Sequence, residues 1–223
     1  SRWIAFDCYG TLVDWRTGLL GQLKHLAPEL SPTDRDQWFD AYLSEERIIE
    51  AGPYLPYREV MGHAVVRAAR SVGVELSPAQ ALEVAESIPN WPAFPDTGAA
   101  LATLRANGFR IAVLSNIDSG LLDRTLSNLA LPADCVVTAQ EVGSYKPAWN
   151  HWIRFLKRTA TLPDQVWHVS GSYEHDIEPA RSLGFRTAYV ERQGGAPARG
   201  DLGLSVRGLA DLVDRLLADP IPS

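Results

Sequence analysis

A carboxylate comes directly after the first apolar run of the chain. Asp7 follows RWIAF (2–6), and Gly10 and Thr11 stand close behind it. A strand that ends at Asp7 would place this side chain at the edge of a sheet, and Gly10 permits a sharp turn there. Thr11 can then donate a hydrogen bond to Asp7. The pattern suits a carboxylate that points into a crevice, although an aspartate at the N-cap of the next helix would look the same.

Further polar side chains follow two other apolar runs. Ser115 and Asn116 come after IAVL (111–114), and Ser172 comes after VWHVSG (166–171). The hydroxyl and amide groups of Ser115 and Asn116 suit an anionic carboxylate, a phosphate or a leaving group. The alternative is an Asx-turn that leads into the next helix.

Two charged residues complete the set of candidates. A cation within a few ångströms lowers the pKa of a carboxylate, so Lys146 is a candidate for keeping Asp7 ionised. A lysine in this position is otherwise an ordinary surface charge. Asp176 is a candidate site acid, or simply the N-cap of a helix over 176–184. His168 lies inside a predicted strand and is interpreted as a core histidine.

Strands and helices alternate along most of the chain. The predicted strands are 2–6, 110–116, 135–140, 166–172 and 186–192, and the helices between them are 96–107, 119–129, 147–160 and 176–184. This alternation predicts an α/β fold with a doubly wound, parallel, Rossmann-like sheet. Ligands of such sheets bind beyond the carboxyl ends of the strands, where Asp7, Ser115, Asn116 and Ser172 all lie.

Residues 15–92 interrupt this alternation. They show no strand pattern, and they contain predicted helices at 16–27, 33–50, 57–73 and 78–87. The proline-containing stretch 87–96 reads as a hinge back to the sheet. We therefore expect a core of residues 1–14 and 93–223 with an inserted helical cap of residues 15–92. Aromatic residues in the cap form either its own core or a lid over the crevice: Trp15, Trp38, Trp91, Tyr42, Tyr54 and Tyr57.

Composition and charge limit the function further. The 223 residues are 46% hydrophobic and 22% charged with a net charge of −6, which suits a globular protein and disfavours a nucleic-acid partner. No apolar run reaches the roughly 18 residues of a membrane span, so we expect no membrane partner and no signal peptide. Cys8 and Cys135 form no disulfide or metal-site pattern, which favours the cytoplasm. Residues 218–223 read as a frayed tail.

Four short motifs, taken together, resemble those of the haloacid dehalogenase superfamily. They are DCYGT (7–11), LSN (114–116), YKP (145–147) and HVSGSYEHDIEPA (168–180), and they occur in the family's order and spacing. The resemblance extends over nearly the whole chain and includes a helical cap after the first motif. It implies a hydrolase with Asp7 as nucleophile.

Tyr9 and Gly171 favour the dehalogenase branch over the phosphatases. Magnesium-dependent phosphatases of this superfamily have Asp-x-Asp in the first motif, and the second Asp protonates the leaving alkoxide. Tyr9 stands at that position here, and a phenol with a pKa of about 10 replaces a carboxylic acid poorly. A halide leaves without a proton. Gly171 occupies the position of a further phosphatase acid, so the resemblance implies no metal and no cofactor. The alternative is an ion bound weakly by Asp7 and Asp176.

The resemblance to L-2-haloacid dehalogenases implies a role for each motif residue. Asp7, Lys146, Asp176 and Thr11 are the implied catalytic residues, and the reaction passes through an aspartyl ester. Asp176 would position the hydrolytic water. The implied ligands of a small anionic substrate, a 2-haloalkanoic acid, are Tyr9, Ser115, Asn116, Ser172 and Arg47.

Two features depart from the dehalogenase pattern. The family's cap arginine falls on Phe39 when the chains are aligned on Trp38, so Arg47 or Arg35 would have to replace it. The fourth motif also lacks a Ser-Ser-Asn run.

Two alternative functions stay open. The first is a phosphatase or another hydrolase that uses Asp7, and the second is a non-catalytic binding module. The dehalogenase branch implies a homodimer.

Overall fold

The computed structural model describes residues 2–192 and 203–218, and the predicted tail beyond Ala218 lies outside them. The six strands are β1 (Arg2–Phe6), β2 (Phe109–Ser115), β3 (Cys135–Thr138), β4 (Val166–Ser170), β5 (Arg186–Val190) and β6 (Leu204–Val206). They form one parallel sheet in the order β3-β2-β1-β4-β5-β6. The predicted α/β fold with a doubly wound, parallel, Rossmann-like sheet is confirmed.

Side chains of β1 show why this sheet is buried on both faces. Ile4 and Phe6 pack into one apolar cluster, and Trp3 and Ala5 pack into another on the opposite side. This follows from the two-residue period of a strand. Parallel sheets with helices on both faces need strands that are largely apolar, and residues 3–6 (WIAF) of β1 are apolar and buried. The centre of the sheet therefore holds the end of β1 in a fixed position.

Helices connect and cover the strands. They are α1 (Trp15–Leu26), α2 (Pro32–Glu50), α3 (Tyr57–Ser71), α4 (Pro78–Ser87), α5 (Thr97–Ala106), α6 (Ser119–Asn128), α7 (Ala139–Val142), α8 (Asn150–Thr159), α9 (Glu178–Ser182) and α10 (Leu209–Ala218). All of α1 to α4 lie between β1 and β2, as the sequence predicts for the cap segment. The domain boundaries themselves stay a prediction.

Three of the differences between predicted and observed elements lie close to the candidate site residues. The predicted strand 135–140 stops at Thr138, whose hydroxyl accepts a hydrogen bond from the Glu141 backbone and so starts α7. The helix predicted from residue 147 starts only at Asn150. The helix predicted over 176–184 is preceded by a single π-helical turn, Tyr173–Ile177. Asp176 therefore lies inside that turn and is not an N-cap.

No helix in the described part of the chain is long and apolar enough to cross a membrane.

Candidate active site

A cavity opens at the carboxyl ends of β1, β2 and β4. The chain leaves β1 towards the cap helices, and β1 lies between β2 and β4 in the sheet, which makes this the switch point where open α/β sheets bind ligands. The cavity has a volume of about 420 Å³. All the predicted site residues except Thr11 line it: Asp7, Tyr9, Arg47, Ser115, Asn116, Lys146, Ser172 and Asp176.

Lys146 joins two buried carboxylates at the base of this cavity. Its Nζ donates to Asp7 Oδ1 and to Asp176 Oδ1, each at 2.8 Å, and to the Leu114 carbonyl at 2.9 Å. The three side chains are nearly inaccessible to solvent, with residue exposures of 2% for Lys146, 7% for Asp7 and 1% for Asp176. All three ammonium protons are therefore used, and the lysine is no surface charge.

Burial and charge act differently on the three groups. Burial raises the pKa of Asp7; the Lys146 ammonium opposes this and the Asp176 carboxylate adds to it. Burial would also raise the pKa of Asp176. The Lys146 charge and a hydrogen bond from His168 outweigh this effect and hold the pKa of Asp176 well below its usual range. Burial would lower the pKa of Lys146, yet the two carboxylates outweigh that effect and raise it. Lys146 therefore stays charged, and Asp176 stays ionised more readily than Asp7.

Thr11 and Gly171 hold the loop after β1 against the loop after β4. The Thr11 hydroxyl donates to Asp7 Oδ2 at 2.8 Å and accepts from the Gly171 backbone N–H at 2.9 Å. A Cβ atom at Gly171 would lie 2.5 Å from the Gly10 carbonyl oxygen, a distance that real Cβ atoms do not show. A side chain at position 171, including the phosphatase acid, would therefore require one of the two loops to shift.

Asn116 holds Lys146 by its backbone. Its side-chain Oδ1 accepts from the Lys146 N–H at 2.7 Å, and its Nδ2 donates to the Lys146 carbonyl at 3.1 Å. The sequence predicts substrate binding for this residue. The structure instead commits both polar atoms of its amide to the loop that carries the lysine, which explains why an amide is needed there.

Ser115 is buried at the cavity wall and is positioned by a histidine. Its carbonyl accepts from His151 Nε2 at 3.2 Å, and the serine itself is 1% exposed. Burial and then the Lys146 charge lower the pKa of His151 to about 3. His151 is therefore neutral at pH 7, with its proton on Nε2.

Tyr9 presents its ring, rather than its hydroxyl, as a functional surface. The phenol oxygen lies 2.8 Å from Thr125 Oγ1, and the ring packs edge-on against Trp91 at 6.2 Å between centroids. Burial raises the pKa of Tyr9 well above its usual value. The hydroxyl is directed at Thr125, and a substrate contact of Tyr9 stays a prediction.

The remaining predicted ligands lie at the upper part of the cavity. The Ser172 hydroxyl is within 3.1 Å of His175 Nδ1 and accepts from the His175 N–H at 3.4 Å. Arg47 is exposed and lines the cavity from α2. Arg35 is not among the residues that line the cavity, and its guanidinium donates twice to the Leu30 carbonyl, at 3.1 and 2.7 Å.

The comparisons with known proteins agree with this architecture. Residues 2–184 match the family model of haloacid dehalogenase-like hydrolases. The chain belongs to this hydrolase family. It is 28% identical over 196 residues to (S)-2-haloacid dehalogenase 1 of Pseudomonas sp. (strain CBS-3), an alignment that covers 86% of this chain and 85% of that protein.

Solved structures show the same fold in dehalogenases. The L-2-haloacid dehalogenase PA0810 is similar with a TM-score of 0.81 at 27% identity, and the match covers 96% of this chain and 99% of that one. The L-2-haloacid dehalogenase from Xanthobacter autotrophicus, solved with chloropropionic acid covalently bound, has a TM-score of 0.85 at 20% identity over 99% of both chains. At that identity the likeness shows the fold.

This haloacid dehalogenase-like hydrolase also has site residues that sequence reasoning missed. His168 is fully buried, and its Nε2 lies 2.8 Å from Asp176 Oδ1. It is a core histidine, as interpreted, but one that contacts a site carboxylate. Glu46 and Glu50 line the cavity from α2. Their spacing of four residues places them on one face of a helix, and that was the available signal.

The donor atoms of this hydrolase do not fit a magnesium ion. Mg²⁺ needs oxygen ligands in near-octahedral geometry. Over residues 2–192 and 203–218, no group of three or more His, Cys, Asp or Glu side chains could hold a metal. The Lys146 ammonium already contacts both Asp7 and Asp176, and Gly171 leaves no space for a further acid.

Proposed function

We propose that this hydrolase cleaves the carbon–halogen bond of small 2-haloalkanoic acids through an ester on Asp7, without a metal. The observation that carries the proposal is the environment of Asp7. Lys146 and Thr11 donate hydrogen bonds to its two oxygens, while Tyr9, where a phosphatase has its acid, directs its hydroxyl at Thr125. The site thus has a supported nucleophile and lacks the acid that an alkoxide leaving group needs.

In the first step an Asp7 carboxylate oxygen attacks the halogen-bearing carbon from the side opposite the halogen. The new C–O bond forms as the carbon–halogen bond breaks, and the halide leaves with the bonding electron pair. The configuration at this carbon is therefore inverted. The Lys146 ammonium and the Thr11 hydroxyl hold the carboxylate in place, which reduces the entropic cost of reaching the attack geometry. The Ser115 hydroxyl binds the substrate carboxylate.

In the second step water hydrolyses the ester at the carbonyl carbon of Asp7. Asp176 accepts a hydrogen bond from this water and orients it. The acyl C–O bond to the substrate breaks, the 2-hydroxy acid leaves with one proton from the water, and the second proton passes to solvent. The depressed pKa of Asp176 supports this role, because an ionised carboxylate is the better hydrogen-bond acceptor for water.

The relatives named above support the same chemistry, since a Pseudomonas relative is called an (S)-2-haloacid dehalogenase and the Xanthobacter enzyme holds chloropropionic acid covalently. A phosphatase or another hydrolase that uses Asp7 is the alternative function, and a non-catalytic binding module is the second. The cytoplasmic location and the homodimer stay predictions.

Halide release tests the proposal directly. The protein is incubated with L-2-chloropropionate or with p-nitrophenyl phosphate, each in EDTA or in magnesium. We expect halide release that survives EDTA and is lost in Asp7→Asn, while Asp123→Asn, a control at an exposed position on α6, retains it. Because burial raises the pKa of Asp7, the rate should begin to fall at a higher pH than an ordinary carboxylate would give.

Magnesium-dependent phosphate release without halide would establish the alternative instead. Release of neither product would leave two explanations, the binding module or a substrate outside these two.

A further inference from the structure

An arginine just beyond β5 holds the loop that follows β1. Arg192 lies two residues after the last residue of β5, Val190, and its Nε donates to the Thr11 carbonyl at 3.1 Å. Thr11 is fully buried, so solvent does not supply this hydrogen bond. The hydroxyl of the same threonine donates to Asp7 Oδ2. Arg192 therefore fixes the residue whose side chain contacts Asp7.

Two further contacts fix the guanidinium itself. Its Nη1 and Nη2 donate to the two carboxylate oxygens of Asp96, at 3.1 and 2.7 Å, and its central carbon lies 4.1 Å from the centroid of the Phe94 ring. Only 9% of the Arg192 side chain is exposed. A guanidinium presents its N–H groups in a rigid, planar fork, so one side chain serves the Thr11 carbonyl and both oxygens of Asp96.

Asp96 is in turn fixed by the start of α10. Its Oδ2 also accepts from the Leu209 N–H at 2.8 Å. A Cβ atom at Gly208 would lie 2.8 Å from that oxygen, so a glycine leaves room for the close approach. Burial would raise the pKa of Asp96, but the hydrogen bonds from Arg192 and Leu209 outweigh this effect and lower it. Asp96 is therefore an ionised partner for Arg192 at neutral pH.

The loop after β1 has a second anchor that does not involve Arg192. The Leu12 carbonyl accepts from the Phe94 N–H at 3.0 Å and from Thr97 Oγ1 at 2.8 Å. This anchor lies one residue after Thr11. Removal of the Arg192 guanidinium would therefore free the Thr11 peptide group while the following residue stays attached to the core.

Arg192 contacts Asp7 indirectly, through Thr11. It is not among the residues that line the cavity. The Asp7 carboxylate has its own donors, Lys146 on Oδ1 and Thr11 on Oδ2, and a shift of the Thr11 peptide moves the second donor and leaves the first in place. Misplacement of a reacting group by about 1 Å can lower a rate by about 10²-fold. An effect of Arg192 is therefore expected in the attack step rather than in substrate binding.

We infer that Arg192 is a positioning residue for Asp7, which acts through Thr11 and is itself held by Asp96. The inference rests on the proposed function for the role of Asp7 as nucleophile. It extends the active site to an ion pair outside the cavity, between the end of β5 and the start of α5.

A double-mutant cycle on halide release tests this route. Arg192→Met removes the guanidinium and keeps an apolar stem, and Thr11→Val removes the hydroxyl. With L-2-chloropropionate we expect Arg192→Met to lower kcat about tenfold, with KM changed less than about twofold, because the attack geometry is disturbed and the binding groups are not. In the Thr11→Val background the same substitution should lower kcat by less than about twofold, because residues that act through one another are not additive. Losses that multiply in the double variant would overturn the inference.

The ionisation of Asp7 gives a readout that needs no substrate. Its pKa is measured by ¹³C NMR of the carboxyl carbon, which is assigned by comparison with Asp7→Asn. Burial raises this pKa, and the hydrogen bonds from Lys146 and Thr11 oppose it. Arg192→Met should therefore raise the pKa of Asp7 further, and it should have no such effect once Thr11→Val is present. An unchanged pKa of Asp7 in Arg192→Met contradicts the inference. If the parent protein releases no halide, the proposed function fails while this measurement still decides the role of Arg192.

Two further variants separate positioning from the loss of an ion pair. Arg215→Met removes an exposed arginine that pairs with Asp211 on α10 at 3.1 Å, and it should change neither kcat nor the pKa of Asp7. Asp96→Asn weakens the bond to Arg192 because the acceptor loses its charge, so both quantities should move as in Arg192→Met and to a smaller extent. This variant decides the question if Arg192→Met does not fold, and an Asp96→Asn protein that equals the parent in both quantities overturns the inference.

Discussion

The Asp176 carboxylate is anchored through one oxygen, which leaves the other for the water of the proposed ester hydrolysis. Lys146 Nζ and His168 Nε2 both lie 2.8 Å from Oδ1. His168→Phe removes one of these donors, so we expect the free energy of unfolding to fall by about 1.5–3 kcal/mol, the contribution of a hydrogen bond to a charged group. Single-turnover kinetics should show slower ester hydrolysis with the alkylation step unchanged.

Measurements at several pH values distinguish positioning from packing. The stability that Asp176 contributes is present above the ordinary carboxylate pKa and is lost as the pH falls through its depressed folded pKa. Because His168→Phe raises that folded pKa, the loss should begin at a higher pH than in the parent protein. His168→Gln, which keeps a donor, should recover part of the hydrolysis rate. Equal rates for the Phe and Gln variants would show that His168 serves only to fill the core.

Asp7 was predictable as a candidate from the sequence because it comes directly after a strand. Lys146 follows no strand, and it became a candidate through its short motif and the resemblance of that motif to the family. His168 and Glu50 were not candidates, because a strand histidine and a helix glutamate usually have ordinary structural roles. Their surroundings in the folded protein depend on how the elements pack, and no local pattern records that.

At the scale of elements, α3 is tied to the core by one buried carboxylate. Asp118, just before α6, accepts from the backbone N–H of Tyr57 at 2.8 Å and of Arg58 at 3.1 Å, and from Arg58 Nε at 3.2 Å. Unpaired N–H groups at a helix start favour a negative charge. Asp118→Ala should therefore lower the free energy of unfolding by about 1–3 kcal/mol and should accelerate amide exchange at Tyr57 and Arg58.

The same variant should raise KM, because α2 and α3 carry the cap wall of the cavity. Asp123→Ala, on the exposed face of α6, controls for the loss of a charge from this region. Unchanged amide exchange in Asp118→Ala would mean that packing alone positions α3.

The five longer strands and the cap helices were predicted because their periodicity is strong and local. β6 was missed, since Leu204–Val206 is only three residues long and is a strand only through its pairing with β5. The π-helical turn at Tyr173–Ile177 was missed for a related reason. Within it, Asp176 contacts Lys146, which is 30 residues away in the sequence, and no local pattern records that contact.

At the scale of the molecule, Lys146 joins segments that are far apart in sequence. It lies 139 residues from Asp7 and 30 from Asp176, so the charge cluster forms only when β1, β4 and the loop before α8 are all in place. Lys146→Met leaves two buried carboxylates without their cation. Breaking a buried pair by removing one partner costs about 3–5 kcal/mol, and we expect urea unfolding at pH 7 to show a loss of this size.

The pH dependence of that loss identifies its electrostatic origin. Without Lys146, burial raises the folded pKa of both Asp7 and Asp176 above the unfolded value of about 3.9. A carboxylate with a raised folded pKa destabilises the native state as the pH rises above its unfolded pKa. The Met variant should therefore be more stable at pH 5 than at pH 8, and its deficit relative to the parent should shrink towards acid. Lys157→Met, at an exposed position on α8, should show no such trend. A deficit that is equal at every pH would assign the effect of Lys146 to packing of its alkyl chain, and the cluster could then not be what holds the three segments together.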